Sequence, residues 1–222
     1  MLFRRHRLAE SDVKLAPENF EMRILHFSDT HNQHKDLKEL PESDVLIHSG
    51  DFSFAGTKAE FHDFLNWFFG LNYKYKIFIG GNHDNFLEGK SQNEIQKILP
   101  KNCYYLYHSG VTIENTKFWG LPKFISEDID GTYFEKIKHI PKNTEVLISH
   151  HPPLGVLDRA GKINFGCADL LQKVLDIQPK LHLFGHIHDA YGVEKSLQTT
   201  FSNASVLNEN YELRNIPVVF DI

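Results

Sequence analysis

Short runs of apolar, β-branched and aromatic residues recur along the chain, and each stops at glycine and polar residues. Residues 22–28, 44–49, 76–79, 145–149 and 180–184 have the length and composition of strands. A helical signal falls between the second and third. Thr57-Lys58-Ala59-Glu60 spells a capping box, with Thr57 as N-cap and Glu60 reaching back to it. It leads into Phe61, Phe64, Leu65 and Phe68, an apolar stripe at helical spacing. Weaker stripes cover residues 91–99 and 168–177, and residues 199–201 and 217–221 read as late strands. This alternation predicts an α/β fold with partly parallel sheets. In such sheets ligands bind just beyond the carboxyl ends of the strands.

All five runs end in potential ligands. They lead into Asp29-Thr30-His31, Gly50-Asp51, Gly80-Gly81-Asn82-His83-Asp84, Ser149-His150-His151-Pro152-Pro153 and Gly185-His186-Ile187-His188. Asp, His and Asn are the donors that suit divalent transition metals. Asp29 and His31 are two residues apart, so a continued extended path points both to one side. Asp51 offers two oxygens that can bridge a pair of ions. Sharing Asp51 gives one ion Asp29, His31, Asp51 and His188, and the other Asp51, Asn82, His150 and His186. Such pairs, about 3.5–4 Å apart, hydrolyse phosphate esters by activating a bridging water. His83 is left over to donate a hydrogen bond or proton to phosphate or leaving group, with Asp84 as a partner for its imidazole.

Composition narrows the context. The 222 residues suffice for one domain with a sizeable core, read as 22–222 behind an extension at 1–21. No apolar run approaches the roughly 18 residues of a membrane-spanning helix. Residues 1–21 are polar and lack a signal-peptide core, so secretion is not expected. Cys103 and Cys167 lie far apart and outside every motif, which predicts free thiols and a cytoplasmic, reducing setting. The formal net charge of −5 argues against general nucleic-acid affinity, and the basic cluster Arg4-Arg5-His6-Arg7 falls in the extension.

The ordered set D-x-H, G-D, G-N-H-[D/E], H, G-H-x-H resembles the calcineurin-like metallophosphoesterase superfamily over residues 22–222. Every element of that pattern is present. The resemblance implies a four-layered αββα sandwich of two mixed sheets, with the site at one edge and the same ligand set. Gly50-Asp51-Phe52, Pro152-Pro153-Leu154-Gly155, Gly166-Cys167, Tyr191-Gly192 and Asn203-Ala204-Ser205 are similar to the brain-type metallophosphoesterase-domain subfamily, which resembles class III cyclic-nucleotide phosphodiesterases. Some animal members carry glycine at the position of His186, which this chain keeps. His151 stands where glycine is frequent. The expected activity is hydrolysis of small phosphodiesters with two divalent ions, manganese first and iron, zinc, nickel or cobalt as alternatives. Asn82, His83 and His151 are the expected substrate contacts. A phosphomonoesterase is the alternative, and a binding scaffold is a lesser one. Gly50-Asp51-Phe52-Ser53-Phe54-Ala55-Gly56 departs from the G-D-x-x-D-R-G of Ser/Thr protein phosphatases. The sequence leaves the oligomeric state open.

Other positions have quieter readings. His34 reads as a solvated loop residue, and His26 and His48 as core histidines or supports of a ligand. Asn203 is a candidate for framing the pocket. Phe52 and Phe54 either wall a pocket or pack inward. Gly80 and Gly81 read as the sharp turn that presents Asn82.

Overall fold

Strands buried on both faces are mostly apolar on each, and this is why the central runs show no regular alternation. The computed structural model describes residues 22–222, so the expected extension at 1–21, with its basic cluster, lies outside the described residues. The strands are β1 (Arg23–Phe27), β2 (Val45–His48), β3 (Tyr75–Phe78), β4 (Cys103–Tyr105), β5 (Ser109–Ile113), β6 (Thr116–Leu121), β7 (Val146–Ser149), β8 (Arg159–Ala160), β9 (Ile163–Asn164), β10 (Leu181–Phe184), β11 (Gly192–Ser196), β12 (Thr199–Asn203) and β13 (Val218–Asp221). The α-helices are α1 (Lys58–Gly70), α2 (Gln92–Gln96), α3 (Ile125–Ile129), α4 (Thr132–Lys138) and α5 (Ala168–Ile177).

Two mixed sheets form, one in the order β13-β1-β2-β3-β4 and one in the order β11-β12-β10-β7-β6-β5. In the first, β1 to β4 run parallel and β13 is antiparallel at the edge. In the second, β12, β10, β7 and β6 run parallel between antiparallel β11 and β5. Alternate residues sort into layers. Ile24, Val45, Ile47, Ile77, Val146, Ile148, Leu181 and Leu183 share one core that joins the two sheets. Leu25, Phe27, Leu46 and Phe78 face the other way, onto the α1 stripe. Leu147 and Phe184 pack with Tyr133 and Ile137 of α4 and Leu170 and Val174 of α5. The result is the expected αββα sandwich.

Helix α1 forms as its sequence dictates. Thr57 Oγ1 accepts from Glu60 N at 3.2 Å, and Glu60 Oε2 accepts from Thr57 N at 2.8 Å. Phe61, Phe64, Leu65 and Phe68 are buried. Burial of each contributes roughly 1.5–3 kcal/mol. Helix α2 is shorter than the 91–99 stripe. Beyond Gln96 the bonds become Ile98 N to Ile95 O and Leu99 N to Gln96 O, a tightened turn just before Pro100, which disfavours helix in the residue preceding it. Among the described residues no helix is long and apolar enough to cross a membrane.

His182, on β10, is fully buried, with Nε2 2.8 Å from Ser149 Oγ. Burial, helped by the charge of His26, lowers its pKa from 6.5 to about 3. Between these values the unfolded chain binds a proton that the fold excludes, so stability falls as pH drops below 6.5. For metal-free protein, urea unfolding at successively lower pH should show a shallower loss in His182→Gln than in wild type, by about 1 kcal/mol per pH unit. Parallel pH profiles would contradict this.

Candidate metal centre

The ends of β1, β2, β3, β7 and β10 carry the candidate ligands to one edge where the two sheets meet. There Ser28 N donates to Ala204 O at 2.9 Å and Val206 N donates to Ser28 O at 3.0 Å, so backbone bonds cross from one sheet to the other. The chain does not stay extended past β1. Asp29, His31 and Asn32 have φ of 55°, 37° and 68°, and Asp51 and His186 also have positive φ, 58° and 71°. Non-glycine residues in this region store roughly 1–3 kcal/mol each. Backbone bonds hold the turn, with Asp29 N donating to Gly50 O at 3.0 Å and His31 N to Asp51 O at 3.1 Å. Asp29 and His31 therefore converge through a left-handed turn rather than by strand alternation.

Three groups of ligand atoms lie within 4.8 Å of one another: Asp29, His31 and His188; His31, Asp51 and His83; and Asp51, His150 and His186. His31 links the first group to the second, and Asp51 links the second to the third. Its Oδ1 accepts from His83 N at 2.8 Å. Its Oδ2 lies 3.7 Å from His31 Nε2 and 3.3 Å from His150 Nε2. One oxygen thus faces both clusters, where two were expected to divide the work.

The imidazoles are aimed by carbonyls. Nδ1 of His31, His150 and His188 lies 3.1, 3.0 and 3.0 Å from the carbonyls of Ser53, Ser49 and Asn208. A carbonyl only accepts, so Nδ1 carries the proton. In the neutral ring Nε2 then turns a lone pair toward a carboxylate, Asp51 for His31 and His150 and Asp29 for His188 at 3.6 Å. Facing acceptors call for a cation between them, and buried His31 Nε2 has no hydrogen-bond partner. This arrangement fits divalent metal ions.

The electrostatics favour positive charge here. Burial opposes ionisation of Asp29, but the His188 contact and the charges of His150, His188 and His31 hold it below the usual carboxylate range. Burial likewise opposes ionisation of Asp51, and His150 and His31 outweigh it and set its pKa at about 2. Burial alone would lower His150, but Asp51, Asp29 and the Ser49 carbonyl lift it to about 9. Asn82 Oδ1 is 3.0 Å from His150 Nε2, completing the second group. His186 ties the groups together, donating its backbone N–H to Asp29 at 3.0 Å while its ring stands 5.0 Å from that of His150.

Gly80 and Gly81 have no positive φ, so the turn at Asn82 does not require glycine for its backbone. Close approach does. A Cβ on Gly81 would collide with Asp51 Oδ1, and one on Gly80 would lie 2.7 Å from the Phe124 ring.

Several expectations change. Asp84 does not meet the His83 imidazole. Its carboxylate turns inward and accepts from the backbone of Gly81, Asp51 and Ser53 at 2.8, 2.8 and 3.0 Å, and from Ser53 Oγ at 2.7 Å. Burial and the Asp51 charge push its pKa up to about 7, against these donors. His83 Nδ1 instead lies 2.8 Å from Phe54 O. His34 is buried, not solvated, against Phe64 and Trp67, with Nε2 3.3 Å from Asp63. Phe52 stacks on Phe64 in the core, whereas Phe54 is exposed beside His83.

The remaining candidates take supporting positions. His26 Nε2 is 2.9 Å from Ser49 Oγ, and His48 Nε2 is 3.1 Å from Thr30 Oγ1. The His151 ring packs 5.0 Å from that of His186. Asn203 Nδ2 donates to Ile187 O at 2.8 Å, inside the last motif. Sequence reasoning missed Ser53 and Asn208, which contribute through carbonyls that any residue has. It also missed Tyr211, whose ring lies 5.1 Å from that of His31 and 5.0 Å from that of His188.

A sequence model described as "Calcineurin-like phosphoesterase" matches residues 22–190. Metallophosphoesterase domain-containing protein 1 of Homo sapiens is 36% identical over 232 residues, spanning 90% of this chain and 71% of that protein. A 3',5'-cyclic-nucleotide phosphodiesterase of Nostoc sp. is 26% identical over 181 residues, spanning 71% of this chain and 60% of that one. A solved crystal structure superposes with a TM-score of 0.57 at 13% identity, covering 90% of this chain and 98% of that chain, a likeness of fold.

Asp84→Ala should strip the acceptor from three buried N–H groups, at about 1–3 kcal/mol for each donor left unpaired. Urea unfolding should show a loss of about 3 kcal/mol or more, and elemental analysis a lower metal content. A variant with wild-type stability and metal content but slowed turnover would return Asp84 to the role of imidazole partner.

Proposed function

Because this chain belongs to the calcineurin-like phosphoesterase family, we propose that it hydrolyses small phosphodiesters using two divalent transition-metal ions. The observation that carries this reading is the set of overlapping ligand groups, with His31 and His150 both facing one oxygen of Asp51. Asp29, His31, Asp51 and His188 would hold one ion, and Asp51, Asn82, His150 and His186 the other. When bound, the ions supply a nucleophile from water at neutral pH and Lewis-acid stabilisation of the phosphate oxygens. Manganese is the metal we propose, with iron, zinc, nickel and cobalt also suited to these donors.

The chain's own groups set the rest. Two carboxylates offset about two of the four positive charges, so the centre keeps its attraction for a phosphate anion. A His83 ring nitrogen lies within 4.8 Å of the ligand atoms of His31 and Asp51. With Nδ1–H fixed on Phe54 O, protonation places the second proton on Nε2, where it can pass to a leaving oxygen. Asn82 and His151 stand beside His150 and His186 as further contacts for phosphate oxygens. The net charge of −5 favours small substrates over nucleic-acid polymers. Cys103 and Cys167 are buried free thiols, which suits the cytoplasm we propose as its location.

Manganese-loaded protein should cleave bis-p-nitrophenyl phosphate with a higher kcat/KM than p-nitrophenyl phosphate. The reverse preference would make it a monoesterase, and inactivity with every transition metal tried would favour a binding scaffold. His83→Ala should lower kcat by roughly 10²–10⁴-fold while metal content stays near that of wild type. Loss of metal would show that His83 is a ligand.

A further inference from the structure

Phe54 and Tyr211 are 55% and 42% exposed, although they stand against the candidate ligand His31, which is buried, and against His83 and His188. Their rings are 5.9 Å apart at 79°, edge to face. Tyr211 lies against His31 and His188, and Phe54 lies 6.0 Å from His83. The two rings therefore form an L-shaped apolar wall beside the first metal cluster.

Both rings are held by loops that also aim the imidazoles. Phe54 O accepts from His83 Nδ1, and Ala55 N donates to Glu60 Oε1 at 3.1 Å. Tyr211 sits at φ 60°. Its N–H donates to Asn208 O at 2.9 Å, and its carbonyl accepts from Gln33 Nε2 at 2.9 Å. The Asn208 carbonyl that aims His188 thus also fixes the turn bearing Tyr211. A cavity of about 310 Å³ opens beside Tyr211, lined by Phe165, His186, His188, Asp189, Glu209 and Tyr211 among others, with Phe54 outside its lining. That volume is near the lower end of small-molecule sites. Hydrogen-bonded loops that keep two aromatic rings in solvent beside the proposed metal centre provide a stacking surface, because a planar π-system gains on one ring face and the other ring's edge.

We propose that Phe54 and Tyr211 bind a planar aromatic group carried by the phosphoester, and so set selectivity for aromatic over aliphatic esters. This assignment rests on the phosphodiesterase reading of the site. A nucleobase and a simple aryl group share the required chemistry.

The test compares KM for 3',5'-cyclic adenosine monophosphate, a phenyl phosphodiester and glycerophosphoethanolamine in wild type, Phe54→Ala, Tyr211→Ala and Tyr211→Phe. Stacking of one base predicts that each alanine variant narrows the aliphatic-to-aromatic KM ratio roughly 10-fold, while Tyr211→Phe keeps the wild-type ratio. Narrowing for the nucleotide alone assigns the wall to nucleobases, and narrowing for the phenyl ester alone assigns it to aryl groups. Unchanged ratios in both alanine variants would overturn the proposal. A wild type inactive on all three esters would instead sink the phosphodiesterase reading. Calorimetric titration with adenosine monophosphate gives a second readout. Binding should weaken roughly 10-fold in either alanine variant if the wall takes nucleobases, and equal affinity would rule nucleobases out.

Discussion

The carboxylate of Asp51 has to face two groups of imidazoles with one oxygen while the other stays tied to the backbone. Oδ1 is occupied by His83 N, and Oδ2 looks toward His31 on one side and His150 on the other. The residue itself sits at φ 58°, and its own N–H is held by Asp84. Gly81 is small because this carboxylate passes where a Cβ would be. The loops after β1, β2, β3 and β7 are thus fitted around a single side chain. The loop after β10 is fitted around the other carboxylate, through the bond from His186 N to Asp29.

Such an arrangement is costly to fold. Three buried carboxylates, four candidate ligands in left-handed backbone and several buried imidazoles all oppose it. The sandwich offsets these costs with three apolar clusters and with sheet hydrogen bonds that cross from one sheet to the other at Ser28. The polar cluster is itself nearly closed, since carbonyls of Ser49, Ser53 and Asn208 and the carboxylate of Asp84 each take particular donors.

The parts legible in the sequence are those with a local physical signature. The five central strands announce themselves because burial on both faces makes them continuously apolar, and α1 does so because its cap and stripe are short-range. The ligands were legible by residue type and by their place after strands. Direction was not. Adjacent residues His83 and Asp84 diverge, since the turn sends one toward Phe54 O and the other toward three backbone donors. The β5–β6 hairpin was missed because its turn pairs Glu114 with Asn115, both at positive φ, and only the second advertises that geometry. Tyr211 lies outside every ligand motif, and the fold returns it to His31 and His188.

The central proposal is that two cations would share Asp51. Anomalous diffraction at the manganese edge, from crystals grown with that metal, tests it directly. Two peaks roughly 3.5–4 Å apart are expected, one among Asp29, His31 and His188 and the other among Asn82, His150 and His186, with Asp51 Oδ2 between them. A single peak, or two peaks not bridged by Asp51, would contradict it.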